Sequence, residues 1–450
     1  MPAAVRFRAE VRASARLAAP LAAGHVSHGL VGFVDTVVAG HHGTHTLAAV
    51  AVGTALFWLP MLVPLGMLMA VPPSVAQLDG GGRRGEIAAL FQQGLWLALA
   101  LGLAMFALIS LLPPLLPALG IDPAIVPGAA QFLAAIRWGI PGFTLYLAMR
   151  YLSDGLHWSL PTMVFGFGGL VLLAPLGYAL THGRFGLPAL GAAGLGWASA
   201  AMFWAQALAF ALYLARARRF APLALFARWR RPHPPTLAGL LRTGLPIGVT
   251  VTMEGSLFIV TALLIGRLGE VPVAAHQIAI NVATLCFMLP FGIAEATTVR
   301  VGHARGRGDR AGLRRAWAAG LVLVLATQAA SAAVLVGGHR AIAALYTADP
   351  LVAALAARLL MYAALFQFPD GIQVLSAGAL RGLKDTRVPM WLAALAYWGI
   401  GMPVGAGLGL GLGWGPEGMW LGLTAGLLVA AVLLARRFLR QSRRVALGAA

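Results

Sequence analysis

The chain has 450 residues, of which 10% are Asp, Glu, Lys or Arg and 60% are hydrophobic, with a mean hydropathy of +0.82. A soluble domain carries about 25% charged residues, so this composition excludes a soluble enzyme and indicates a membrane protein. The formal charge of +19 sits in short clusters between long apolar runs, which reads as topology signalling rather than a stripe for nucleic acid, and no nucleic-acid partner is expected.

Taken in chain order, the apolar runs predict about twelve spans of roughly 20 to 28 residues, each able to cross about 30 Å of hydrocarbon as a helix. Backbone groups in lipid must bond internally, which leaves helices as the reading of spans this long. The first run carries an acid and opens a series of similar segments, so it reads as a span and not a cleaved leader. Breaks are expected near residues 41–45, 79–86, 120–123, 152–161 and 182–188. They continue near 216–235, 267–272, 302–315, 337–350, 381–389 and 413–418. Cys286 is the single cysteine, so no disulfide framework exists.

Placing the N-terminus in the cytoplasm makes alternate loops basic. Arg6 to Arg16, Arg83 and Arg84, Arg150, the set from Arg216 to Arg242, Arg300 to Arg315, Arg381 to Arg387 and the tail from Arg436 to Arg444 all fall inside. Only Arg184, Arg267 and Arg340 fall outside, and Arg137 and Arg358 lie within spans. This bias predicts an even number of spans with both termini cytoplasmic. The longest basic loop divides the chain into lobes at 1–215 and 237–450 joined by a linker at 216–236. At an offset of about 226 residues, Gly40 falls on Gly266, Ala48–Ala49 on Ala274–Ala275, and Pro64 and Gly66 on Pro290 and Gly292. The fold expected is an all-α polytopic membrane protein of two six-helix lobes. Pseudo-two-fold symmetry about an axis along the membrane normal should relate them.

Ten of the 14 acids lie in loops or at span ends. An ionisable group at the bilayer centre costs at least about 2.5 to 3.5 kcal/mol, so the others mark functional candidates. Asp35 lies late in the first span beside Thr36, with His28 two turns earlier. Glu254 lies midway in the seventh span, and Asp370 lies deep in the tenth with Gln367 and Gln373 on one stripe and Pro369 before it. Glu254 and Asp370 with amide and carbonyl oxygens make a hard-oxygen site for Na⁺, or one that carries a proton. Glu295, one turn before Arg300, reads as a structural ion pair. Phe33, Trp58, Met61, Met253, Phe258, Phe287 and Phe366, with Phe57 and Tyr146, are candidates to line an apolar, adaptable cavity.

At these residues the chain resembles a known family. GFVDTVVAG, LAAVAVG, PLGML and VAQLDGGGRR in the first half, and AAHQIAINV, MLPFGIAEATTVRVG, FQFPDGIQVLSAGALRGLKDTRVPM and GWGPEGMWLG in the second, are similar to MATE (multidrug and toxic compound extrusion) transporters of the NorM-like branch. The resemblance covers nearly the whole chain. It implies efflux of organic cations and drugs in exchange for Na⁺ or H⁺ by alternating access of two lobes, without a cofactor, in a bacterial inner membrane, as a monomer. Carried over by position, it makes Glu254 and Asp370 the coupling-ion carboxylates of the second half and Asp35 the acid of the first, with Gln277, Asn281, Gln367, Gln373 and Thr36 in support. Where family members place asparagines in the fifth helix, this chain has Leu173 and Gly177, which leaves Asp35 without those amide partners. The alternative is a flippase for lipid-linked precursors of similar architecture, but two in-span arginines are few for a pyrophosphate cavity. An intramembrane hydrolase lacks a nucleophile set, and a passive channel fits poorly with a two-lobe repeat.

Overall fold

The computed structural model describes residues 3–444. Among them twelve helices are long and apolar enough to cross a membrane: α1 Ala4–His42, α2 Thr44–Gly80, α3 Arg84–Leu115, α4 Val126–Gly155, α5 Leu160–His182, α6 Ala192–Arg216, α7 Pro234–Gly266, α8 Glu270–Gly306, α9 Arg310–Tyr346, α10 Pro350–Gly382, α11 Arg387–Gly411 and α12 Gly415–Arg444. Each break falls where turn chemistry placed it. Several helices exceed the predicted length because their polar ends remain helical beyond the apolar window, as in the arginine-bearing start of α1 and the end of α8. Helix starts follow local chemistry. The Asp309 carboxylate accepts from the Gly312 amide at 2.7 Å ahead of α9, and Asp349 accepts from Leu351 at 2.8 Å ahead of α10, whose first residue is Pro350.

The internal repeat is visible in backbone stereochemistry. Gly82 (φ 74°) and Gly308 (φ 69°) take left-handed conformations at equivalent turns, as do the non-glycine residues His157 (φ 60°) and Lys384 (φ 58°). The matched glycines Gly66 and Gly292 have a common packing reason. A Cβ at Gly66 would sit 2.6 Å from the Gly248 Cα, and one at Gly292 would sit 2.6 Å from the Ala22 nitrogen.

Contacts divide the chain into two units. One contains the described residues up to Ala22, Gly80–Gly82 and everything from Val249; the other contains Ala23–Asp79 and Arg83–Gly248. Set against the expected 1–215, 216–236 and 237–450, the opening of α1 belongs with the second half, and the linker and the first part of α7 belong with the first. In the second-half unit, Glu10 holds Arg300 through two hydrogen bonds of 2.8 and 2.6 Å. Arg300 thus takes its bidentate carboxylate partner from α1, not from the Glu295 expected one turn away. In the other unit, Arg150 and Asp154 form a buried pair at 3.3 Å, and the Thr162 hydroxyl donates to Asp154 at 2.7 Å. Sequence placed Arg150 and Asp154 at a loop. They lie on the last turns of α4, where helix spacing i,i+4 pairs them inside the protein.

Candidate functional site

Three helices of the second-half unit converge on one side chain. Asp370 and Gln373 are one turn apart on α10, so they share a face. The Gln373 amide nitrogen donates to Glu254 Oε1 of α7 at 2.9 Å and, more weakly, to Asp370 Oδ1 at 3.4 Å. Its carbonyl oxygen accepts from the Tyr397 hydroxyl of α11 at 2.9 Å. One carboxamide therefore presents both of its donor hydrogens to carboxylates and its acceptor to a phenol. Tyr397 lies in a π-helical stretch, Leu395–Gly401, with a second at Gly407–Gly411. Such widened turns recur at functional positions because the extra residue re-aims side chains.

A buried cation lies farther along the same helix. Arg381 is buried three turns along α10 from Asp370. Sequence counted it among loop arginines. An interval of eleven residues returns a helix to the same face, and that was the available signal. The Gln367 side chain, one turn before Asp370, is 2% exposed, and neither its amide nitrogen nor its oxygen has a hydrogen-bond partner. A buried amide left so is costly and calls for an occupant such as water or an ion. Gln328 of α9, which sequence reasoning missed, donates to the Gln367 backbone carbonyl at 3.0 Å two residues ahead of Pro369.

Asp35 belongs to the other unit and stands alone. It is 4% exposed, and its Oδ1 has no hydrogen-bond partner. Thr36 turns its hydroxyl to the Gly32 carbonyl of its own helix at 2.8 Å and so gives no help. Leu173 and Gly177 of α5 are buried and offer no side-chain polar group. His28 faces Phe143 and Tyr146, with ring centroids 6.2 and 6.3 Å away.

The remaining candidates separate by packing. Phe33 is 64% exposed. Trp58 stands edge-on to Phe57 and Phe143, Phe287 stacks on Phe291, and the Met253 carbonyl accepts from the Trp398 indole at 3.4 Å. Phe258 lies edge-on to Phe366, which in turn meets Trp420. Phe57, Met61, Tyr146 and Phe366 are fully packed core residues. Gln277 is exposed, and exposed Asn281 accepts from the Tyr346 hydroxyl at 2.8 Å. Neither is brought to Gln373 by any hydrogen bond among the described residues.

Twelve apolar helices in two repeat-related lobes, with carboxylates held at a buried polar node, define a polytopic membrane protein. The MatE family profile matches residues 20–179 and 246–406, each stretch beginning at the same place in its repeat. The chain belongs to the MatE family of membrane transporters. It is 65% identical over 445 residues to the probable multidrug resistance protein NorM of Xanthomonas campestris pv. campestris, covering 99% of this chain and 97% of that one. It is 42% identical over 454 residues to the multidrug resistance protein PmpM of Pseudomonas aeruginosa, covering 98% and 95%. Its fold matches that of the eukaryotic MATE transporter AtDTX14, with a TM-score of 0.88 at 18% identity over 98% of both chains.

Proposed function

We propose that the protein is a secondary active antiporter that exports cationic or amphipathic compounds in exchange for Na⁺ or H⁺ by alternating access. It would act as a monomer in a bacterial inner membrane with both termini cytoplasmic; residues 1–2 and 445–450 lie outside the described residues. The observation that carries this reading is the Gln373 node, where two carboxylates on different helices share one amide and so stand where a cation or proton could be held between them. The names of the relatives, multidrug resistance proteins from two bacteria, support the efflux reading.

The mechanism follows from mutual exclusion. A coupling cation on Glu254 and Asp370 cancels the charge that would hold a positive substrate, so the two occupancies oppose each other. Membrane potential adds about 2.3 kcal/mol per charge per 100 mV to inward ion movement. The coupling ion and substrate are cargo, and no cofactor is required. The test is efflux of a fluorescent cation from proteoliposomes, driven first by a Na⁺ gradient at fixed pH and then by a pH gradient without Na⁺. One gradient should drive transport, and Glu254→Gln and Asp370→Asn should each lower it by about tenfold or more, the scale on which loss of a metal-ligand partner acts. Transport indifferent to both gradients, or intact in both variants, refutes the antiporter.

A further inference from the structure

The linker between the two halves is a clamped strap. Gln92 of α3 donates to the carbonyls of Leu225 and Arg228 at 2.8 and 2.9 Å and accepts from the Arg230 amide at 2.9 Å. Gln93 donates to the Arg231 carbonyl at 3.0 Å and accepts from the His233 amide at 2.7 Å. The Trp96 indole donates to the Arg230 carbonyl at 3.0 Å, and its ring stands edge-on to Trp229. Both glutamines are buried, so these bonds fix the strap's course along the flank of α3.

That course sets its depth. Gln92, Gln93 and Trp96 are five to nine residues beyond Ile87, which opens the α-helical part of α3, and at 1.5 Å per residue the strap lies about 8 to 14 Å along the helix. α3 has 32 residues, about 48 Å at that rise against about 30 Å of hydrocarbon, so a position near its start matches the interfacial zone where aromatic rings gather. With its backbone turned inward, the strap presents Trp229, 55% exposed, between the exposed Arg228, Arg230 and Arg231. No acid occurs in 216–236, and none of these three arginines forms an ion pair among the described residues. Arg219, by contrast, is taken up 4.5 Å over the Trp158 ring.

We infer that Arg228, Trp229, Arg230 and Arg231 form a binding site for the phosphate headgroups of anionic phospholipids in the adjacent leaflet. Guanidinium groups pair with phosphodiester oxygens in two-pronged fashion, and the indole sits at the interface beside them. The clamp fixes the backbone that carries the arginines along α3.

The test places an environment-sensitive fluorophore at Ala227→Cys in a Cys286→Ser background of the full chain, reconstituted in bilayers. Quenching is compared for brominated phosphatidylglycerol and brominated phosphatidylcholine at equal mole fraction. At low salt, relative association should favour the anionic lipid, and each arginine replaced by Gln should lower the preference roughly fivefold, the usual contribution of one basic residue at such a surface. Raising salt tenfold on the unsubstituted strap should collapse it, a reading that does not depend on the arginine variants folding. Equal quenching by the two lipids, or a preference indifferent to salt, overturns the inference. Loss of the preference to millimolar inorganic phosphate at constant ionic strength would assign the site to a free phosphate and overturn the lipid reading.

Discussion

Replacing Gln373 with Leu tests whether the amide stabilises the empty site or the loaded one. Its nitrogen donates to two carboxylates, at 2.9 and 3.4 Å. A hydrogen bond to a charged group contributes about 1.5 to 3 kcal/mol, and the longer one falls at or below the lower bound, so together they favour the ionised, unoccupied pair by about 3 kcal/mol. At about 1.4 kcal/mol per decade this is roughly a hundredfold. Removing the donor should make the carboxylates hold their cation more tightly. The half-saturating concentration of coupling ion should fall by up to about a hundredfold while turnover slows, because release becomes costly. Ion titration of dye efflux in proteoliposomes measures both. The substitution also strands the buried Tyr397 hydroxyl, so Tyr397→Phe is the control, with a few-fold effect at most, and the double variant separates stability from ion affinity. A half-saturating concentration that rises, or stays unchanged in a folded variant, would show that Gln373 supports the bound ion or plays no part.

Asp35→Asn should leave the melting temperature unchanged or higher, because the buried carboxylate has no hydrogen bond at Oδ1 to lose and a neutral amide costs less to bury; a drop of several degrees in a thermal-shift assay would reveal a partner for it. Asp154→Asn should destabilise the fold by about 3 to 5 kcal/mol by leaving Arg150 buried at 2% exposure without its counter-charge. Adding Arg150→Met should recover much of that loss in denaturant unfolding, and failure to recover would refute the pairing. Gly422→Ala should cost more than about 1 kcal/mol, because the new methyl would land on the Gly405 backbone where α11 and α12 touch; wild-type melting of the purified variant would contradict that packing.

Much of this was legible before any coordinates. Span number, break positions and the repeat follow from hydropathy and turn residues, and the left-handed pairs Gly82 and Gly308, and His157 and Lys384, give the repeat a stereochemical footing. The acids Asp35, Glu254 and Asp370 stood out because charge is scarce in apolar runs. The isolation of Asp35 was foreshadowed by Leu173 and Gly177. Hidden from sequence were the identity of the bridging group and the fate of the arginines. Gln373 was a supporting residue on a stripe, and nothing in its spacing pointed to Tyr397 on another helix. Arg150 and Arg381 looked like loop signals until the helices extended through them.

The order of residues by itself determined which stretches enter lipid, how many there are, that they form a duplicated set, and which carry a charge that is costly to bury. These are one-dimensional properties, set by transfer energies and local turn geometry. Tertiary structure alone decided that two carboxylates meet on one amide, that the opening of α1 packs with the second half, and that the linker lies clamped along α3. Each depends on how a helix is rotated and which neighbour it meets. In an apolar helix nearly every face is hydrophobic, so the pattern of residues carries little record of that choice.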